Sequence, residues 1–538
     1  MRPLVAVLAL LVASVVSAAE LHVPQQFATI QAAIAASVDG DTVLVAPGTY
    51  YEPVDLMGRI ITLKSTGGAG VTILDGSRHD GSILKAVFGE KRGTVVQGFT
   101  FRNGEGEVGT PCGFPPNRYG AAILIRSSGL SIVDCIFENN GAIPHEGQLD
   151  GVKAGGAVFS CQSDLFVGSS RFENNKATEG GAVYVAASRF VAEIEECTFE
   201  RNEGAHGGAI GTKLVGTATF AVTHSHFKGN HASHGAGILV SGEQRPTATI
   251  TDCDFTDGSG SFGAGINILA LDETSVEVLR SDFTRNEAGF GGGVFASSTA
   301  NSRVRITNSR FFDNTAHACC NTGFYYDNCF IDGAAPGNGL YYGGGVDVRT
   351  SGGGGSIALT NCLFAGNSGD RGGGAHASSC SGGTIQFSNN TVVGNTGGGI
   401  QLRNGVPRVE EPFAPTQLRI SNSIVRQNGG GEQIAIEGAA SVTFSDVQGG
   451  FSGEGNFDVV PSFVNAALRD FRLADGSACI DAGDNAAIES SVTTDLQRRT
   501  RFADDPKTHD RGAGHAPIVD VGAYEFQPQP VRRRAARH

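Results

Sequence analysis

The sequence predicts an all-β fold, a single-stranded right-handed parallel β-helix with about three strands per coil and a short N-terminal capping helix. Three observations predict it: a phenylalanine column that recurs about every 28 residues, an asparagine three residues after nearly every member, and a glycine pair shortly afterwards. Self-similarity at such a period marks a solenoid, in which each repeat buries its apolar face only against its neighbours.

The column runs through Phe137, Phe172, Phe199, Phe227, Phe255, Phe283 and Phe311, and resumes after an insertion at Phe364, Val392 and Val425. Asn140, Asn175, Asn202, Asn230, Asn286, Asn314, Asn367, Asn395 and Asn428 follow at a constant offset, and only Gly258 breaks the series. An Asn stack suits a turn that tolerates left-handed geometry, with amides hydrogen-bonded from coil to coil. Gly180-Gly181, Gly207-Gly208 and Gly291-Gly292 suit positive φ or close backbone approach.

Strands are legible upstream of each anchor. Leu130, Leu165, Phe220 and Val276 stand seven residues before it, and Ile132, Val167, Val222 and Val278 five before it, which is the period-2 apolarity of a strand. Cys135, Ser170, Cys197, Ser225, Cys253, Ser281 and Cys362 stand two before it, so the inward register shifts and the chain turns a corner between. After the glycines, Val183, Ile210, Ile238, Ile266 and Val294 begin another strand. Crossovers between parallel strands of this kind are right-handed.

Residues 1–19 read as a signal peptide, with Arg2, an apolar run from Leu4 to Val16, and small residues Ser17, Ala18 and Ala19. Residues 20–455 read as the solenoid, with Phe27 to Ala36 as a helix over its open end, 456–526 as a closing module, and 527–538 as a basic tail. The composition supports one repetitive body: Gly is 78 of 538 residues, Met 2 and Trp 0. A net charge of −14 argues against nucleic acid as a partner. No transmembrane segment is expected in the mature chain, and the expected location is extracellular, cell-surface or periplasmic.

The stretch Thr29-Ile30-Gln31-Ala32-Ala33-Ile34, with Gly40-Asp41-Thr42-Val43 and Pro47-Gly48-Thr49-Tyr50, resembles the entry coil of pectin-lyase-like right-handed β-helix proteins. Phe172-Glu173-Asn174-Asn175 with Gly180-Gly181-Ala182-Val183 is similar to polymorphic outer-membrane protein repeats. Ser477-Ala478-Cys479-Ile480-Asp481-Ala482-Gly483-Asp484, with Asp520-Val521-Gly522-Ala523-Tyr524-Glu525, resembles the closing module of bacterial secreted β-helix proteins. The resemblance implies fold and export but no activity. The signature motifs of pectate lyases, polygalacturonases and alginate epimerases are not found, and function belongs to a site rather than to a fold.

Eleven cysteines in an exported chain raise the question of disulfides. Cys135, Cys197, Cys253 and Cys362 lie in alternate or more distant coils, roughly 9.6 Å apart or more at ordinary strand spacing, and are expected as buried free thiols. A local disulfide is expected in the insertion, involving Cys329 with Cys319 or Cys320. The sequence leaves the connectivity of Cys112, Cys161, Cys380 and Cys479 open.

Outward columns supply the candidate sites. Glu196, His224, Asp252 and Arg280 stand three before the anchor, and His226, Asp254 and Asp282 one before it. Together they could serve as acid, base or metal ligands, but a solvated face of compensating charges is the favoured account, and no catalytic residue is expected among them. The even 28-residue step leaves no slack for a loop above them, so an open, flat or convex patch is expected. Tyr119, His206, His234, Phe262, Phe290 and Tyr342 precede the glycines and form a candidate binding column for a sugar chain or protein, or a packing ladder. Asp481, Asp484, Asp495, Asp520 and Glu525 are candidate calcium ligands, with turn formation as the alternative, and no other cofactor is expected.

The function expected from these features is that of an exported, non-catalytic surface protein for adhesion or for glycan or protein interaction. The alternative is a polysaccharide lyase or glycoside hydrolase acting on an acidic polysaccharide. An enzyme needs convergent groups in a groove, which only the insertions Gly104 to Arg118 and Thr315 to Tyr342 are long enough to wall.

Overall fold

The computed structural model describes residues 18–141, 151–317, 341–351, 353–379, 382–404 and 417–528, with the backbone of 329–330 and 406–407. Residues 1–17 of the expected signal peptide, the side chains of Cys319, Cys320 and Cys329 with the disulfide expected among them, Cys380 and the tail beyond residue 528 lie outside the described residues.

Three parallel sheets run along the solenoid. Sheet I has 15 strands, from Glu20–Val23 to Ser441–Thr443; sheet II has 14, from Gly48–Tyr50 to Asp446–Val447; sheet III has 13, from Val54–Asp55 to Ile434–Glu437. Like residues pair with like, as in Phe199↔Phe227↔Phe255↔Phe283 on sheet II and Ile194↔Val222↔Ile250↔Val278 on sheet I. Alternation buries one set in a continuous apolar core and leaves the other outward. The phenylalanine rings stack face to face: Phe199–Phe227 and Phe227–Phe255 centroids are 4.9 and 4.6 Å apart, with interplanar angles of 4° and 8°. The stack begins one coil earlier than the sequence reading placed it, because Phe101 pairs with Phe137 and stacks on it at 5.0 Å.

Each ladder asparagine serves two coils. Asn202 Nδ2 donates to Phe172 O at 3.0 Å and to Asn230 Oδ1 at 3.1 Å, while Asn230 Oδ1 also accepts Asn202 N–H at 2.9 Å. Gly258 lacks the amide but keeps half the pattern, its N–H donating to Asn286 Oδ1 at 3.0 Å. The left-handed residue of this turn is not the ladder asparagine but the one before it, as at Asn174 (φ +54), Arg201 (+53) and Arg285 (+53). The ladder side chain must point inward to reach its neighbours, so the chain reverses one residue earlier. The glycines do carry positive φ: at Gly207 (φ +73) an added Cβ would meet Ile210 O at 2.3 Å.

The one α-helix among the described residues, α1, spans Ile30–Ala36, three residues shorter than the sequence reading. Thr29 caps it by accepting Ala32 N–H, and Glu52 accepts Ile30 and Gln31 N–H, so residues 27–29 lie outside the helix. Ile30, Ala33 and Ile34 pack into the entry of the core. Among the described residues no helix is long and apolar enough to cross a membrane.

Cys135, Cys197, Cys253 and Cys362 are buried and unpaired, and burial pushes each thiol up to about 12. They are therefore inert at neutral pH. Alkylation of the native protein is expected to leave all four unmodified, whereas denaturation exposes them, and peptide mass spectrometry reads the difference. Modification of any of them before unfolding would contradict their burial. Cys112 and Cys161 form a disulfide that pins the insertion after Gly104 to the outer face of sheet III. There Phe114 packs edge-on over Phe159 and Tyr184.

The C-terminal segment folds back on the solenoid. Phe471, Leu473, Ile480, Val521, Ala523 and Tyr524 pack with Leu363, Ala365, Val393 and Ile424, which sheet II presents outward. Fully buried Arg501 donates to Asp520 O and Gly522 O at 3.1 and 2.6 Å. Corner asparagines hold the returning chain: Asn361 Nδ2 donates to Thr494 O, Asn389 Nδ2 to Asp520 O, and Asn422 Oδ1 accepts Asp484 N–H.

Candidate functional site

The exterior patch follows from the corner between sheets I and II. Glu196, His224, Asp252 and Arg280 all adopt left-handed geometry there, with φ of +54, +48, +53 and +51. His226, Asp254 and Asp282 are paired neighbours on adjacent strands. The charges couple pairwise: Arg280 clamps Asp252 through two bonds of 2.9 and 2.7 Å, His226 meets Asp254 at 2.9 Å, Arg310 holds Asp282 and Arg498 also reaches Asp252. The Arg280 hydrogen bonds hold Asp252 below the usual carboxylate range. Glu196 accepts only Ser169 Oγ, at 3.1 Å.

The patch is open over His224, His226 and Asp254, as the sequence suggested, but not at its C-terminal end. Leu496, Gln497, Arg498 and Arg499 overhang its C-terminal end and, with Arg280, Asp282, Asn308 and Arg310, line a groove of about 340 Å³. The repeat itself has no slack for a loop. The overhang comes from a chain segment more than two hundred residues downstream, which no local spacing reveals.

The aromatic column packs on itself. His206–His234, His234–Phe262, Phe262–Phe290 and Phe290–Tyr342 centroids lie 5.1, 4.9, 5.2 and 6.0 Å apart. Burial, and secondarily His206, push His234 down to about 4, so this ring is itself neutral at physiological pH. Tyr119 is buried separately against Phe114 and Phe159.

A third constellation was not singled out in the sequence. On sheet III the strands Ile266–Ala270, Val294–Thr299, Val346–Ser351, Ala375–Ser379 and Ile400–Asn404 are adjacent. Their outward row reads Asn267, Phe295, Asp347, His376, Gln401. Asp347 and His376 are fully buried, and Arg349 nearly so. Arg349 Nε and Nη2 donate to the Asp347 carboxylate at 3.1 and 2.8 Å, and His376 Nδ1 lies 3.0 Å from Asp347 Oδ1. The Tyr342 ring packs on His376 at 4.6 Å, and the Arg349 guanidinium lies 5.1 Å from both the Phe290 and Phe295 centroids. Toward the surface, Glu437 joins Arg403 at 2.9 Å, Arg371 at 3.2 Å and Gln401 Nε2 at 3.2 Å.

Two properties set this row apart. First, burial alone would raise Asp347, yet Arg349 and His376 hold it at about 2, so a carboxylate stays ionised out of contact with water. Second, among the described residues the Asn267 amide, His376 Nε2 and Gln401 Oε1 are buried without a hydrogen-bond partner. Such groups are rare in folded proteins, because each unsatisfied one costs about 1–3 kcal/mol. Asp347 fixes His376 with its proton on Nδ1, which leaves the Nε2 lone pair available as a base.

The low Asp347 value carries a sign. A carboxylate depressed from 3.8 to about 2 adds stability that is present above pH 4 and lost as pH falls through 2. Thermal unfolding of the parent and Asp347→Asn between pH 5 and 2 is therefore expected to show a gap that narrows steadily toward the acid end. A constant gap would exclude ionised Asp347.

The sequence signal for this row was present but weak. Charged residues stand at the outward positions of Val346-Asp347-Val348-Arg349, where the coil before has Phe295 and Ser297. The insertion ahead of Tyr342 separates them from Phe295 and Ser297, and no residue type repeats between them and His376, so the column shows no period.

A family model described as "Right handed beta helix region" matches residues 61–247 and 214–414. Comparison with curated proteins finds no match. Among solved structures, the chain is similar to the periplasmic alginate epimerase AlgG (12% identity, 75% of each chain covered, TM-score 0.35). It is also similar to a PL6 alginate lyase in complex with a trisaccharide (12%, 94% of this chain and 95% of that one, 0.39) and to the pectate lyase Pel9A (14%, 92% and 90%, 0.30). At these identities the likeness concerns the fold alone.

Proposed function

This chain belongs to the right-handed β-helix family, and on that solenoid we propose a carbohydrate-active site on the outer face of sheet III that acts on an acidic polysaccharide by β-elimination. The observation that carries this reading is the buried row of Asn267, Asp347, His376 and Gln401, with unpartnered polar atoms on three of its four members. From Asn267 to Gln401 the row spans roughly 19 Å at ordinary strand spacing, enough for several sugar units. The row is covered in this structure, so a sugar chain would reach it only once the side chains over it move aside, and its hydroxyls and carboxylates would then satisfy those atoms.

The chemistry follows from the donor set. Elimination beside a uronate carboxylate needs a cation to neutralise that carboxylate and a base to remove the adjacent proton; as the double bond forms, the glycosidic C–O bond breaks and the departing oxygen takes a proton from water or from the protonated base. The guanidiniums of Arg349, Arg371 and Arg403 are of the first kind. His376 Nε2, oriented through Nδ1 by Asp347, is of the second. Tyr342 covers the imidazole. Hydrolysis would instead need two carboxylates available to the glycosidic bond, and Asp347 is already engaged by Arg349 and His376. A surface for adhesion needs none of this convergence, which is why the catalytic alternative is preferred. Under the same reading the chain is exported to meet its polymer, and the exterior patch is a lateral contact surface.

Incubation of the full chain with a panel of polyuronates is expected to release unsaturated uronyl ends, read by their ultraviolet absorbance. Absence of unsaturated ends and of new reducing ends from every member would overturn the proposal.

A further inference from the structure

The closing segment holds a cluster that the reading above does not use. Of its five candidate acidic residues, four have structural work. Asp484 accepts Ala486 N–H, Asp495 accepts the N–H groups of Gln497, Arg499 and Glu525, Asp520 accepts those of Asp481 and Phe526, and Glu525 accepts those of Ala503 and Asp520. Asp481 differs. It is fully buried, and among the described residues neither of its carboxylate oxygens has a partner in hydrogen-bond geometry, the Asp505 backbone N–H acting on it only from outside that geometry.

Two further carboxylates face it. Asp504 and Asp510, both on the surface, each place an oxygen so that the three ligand atoms lie within 4.8 Å of one another. Among the described residues no ion pair reaches any of the three. The basic side chains of the same loop turn elsewhere: Lys507 meets Asp475 at 3.7 Å, and Arg511 donates to Ala478 O. The loop is anchored independently of these carboxylates, because Arg511 and Gly512 N–H donate to Asp481 O and Thr508 Oγ1 donates to Asp505.

We propose that Asp481, Asp504 and Asp510 bind a calcium ion that ties the loop of residues 502–511 to the turn at 479–483. The choice of ion rests on the donors. All three are carboxylate oxygens, which excludes a preference for zinc or copper, whose sites favour imidazole and thiolate. Two of the donors are on the surface, so water can complete an irregular shell of six to eight oxygens, which calcium accepts and magnesium resists. The inference is independent of the sheet III site, and its test uses no polysaccharide.

Calorimetric titration of the chelator-stripped full chain with calcium alone is expected to give one site, with magnesium binding at least roughly tenfold more weakly. The double substitution Asp504→Asn with Asp510→Asn changes only surface groups, so the fold should persist while calcium affinity falls at least roughly tenfold. Calcium should raise the melting temperature of the parent and leave that of the double variant unmoved. Asp481→Asn should abolish binding as well. A parent that binds no calcium, a double variant that binds it as tightly as the parent, or magnesium binding of equal strength would overturn the proposal.

Discussion

His376→Ala is expected to lower the rate of polyuronate cleavage by about 10²–10⁴-fold, the usual contribution of a positioned general base. The substitution removes the imidazole but leaves Asp347 doubly bonded to Arg349, so no buried charge loses its last partner. The melting temperature should therefore fall only modestly. Those two readouts together separate catalysis from architecture: a merely structural histidine would cost stability and leave the rate per folded molecule unchanged. Asp347→Asn should impair the rate too, because the amide no longer fixes the proton on Nδ1. It should also cost more stability, since the buried Arg349 then loses the ionised carboxylate it holds by two hydrogen bonds, a loss of about 3–5 kcal/mol. A His376→Ala protein that melts like the parent and cleaves like the parent would remove sheet III from consideration as the reacting surface.

Phe227→Asp is expected to have the largest structural effect. Phe227 is buried between Phe199 and Phe255 at 4.9 and 4.6 Å, in a stack that continues through Phe283 and Phe311. Truncating a core phenylalanine to alanine already costs about 3–5 kcal/mol, and a carboxylate in the same place adds an unpaired buried charge. In a solenoid each coil is stabilised by its neighbours, so the loss should open the coils on either side. New protease cleavage sites and an earlier, broader melting transition would report this. Lys228→Asp, one residue further along the same strand and facing solvent, is the control and should leave the melt unchanged. Parent-like melting of Phe227→Asp would contradict the inward assignment of the column.

These two substitutions fall on opposite sides of what the sequence discloses. The Phe227 column was legible because its neighbours repeat the same residue at a constant step, and stacking strands turns sequence period directly into contact. The cysteine and serine corner and the ladder asparagines were legible for the same reason. His376 was not, because no residue type repeats between it and its partner Asp347 one coil away. A single charged residue per strand carries no period of its own. The turn geometry was half legible: the asparagines marked it, but the left-handed residue proved to be the preceding one, since only an inward amide reaches the next coil.

The amino-acid sequence by itself determined the solenoid, its strand register and the inward columns, because a parallel β-helix places residues one coil apart in direct contact and so writes its packing as a period. Only the tertiary structure decided where polar groups converge. The return of residues 484–499 over the corner of Asp252 and Arg280 links positions more than two hundred residues apart. The meeting of Asp347, Arg349 and His376 depends on two coils of unequal length falling into register. The pairing of Asp481 with Asp504 and Asp510 depends on a loop folding back on a turn. Periodicity governs contacts between successive coils, whereas these sites are made where the chain leaves the period.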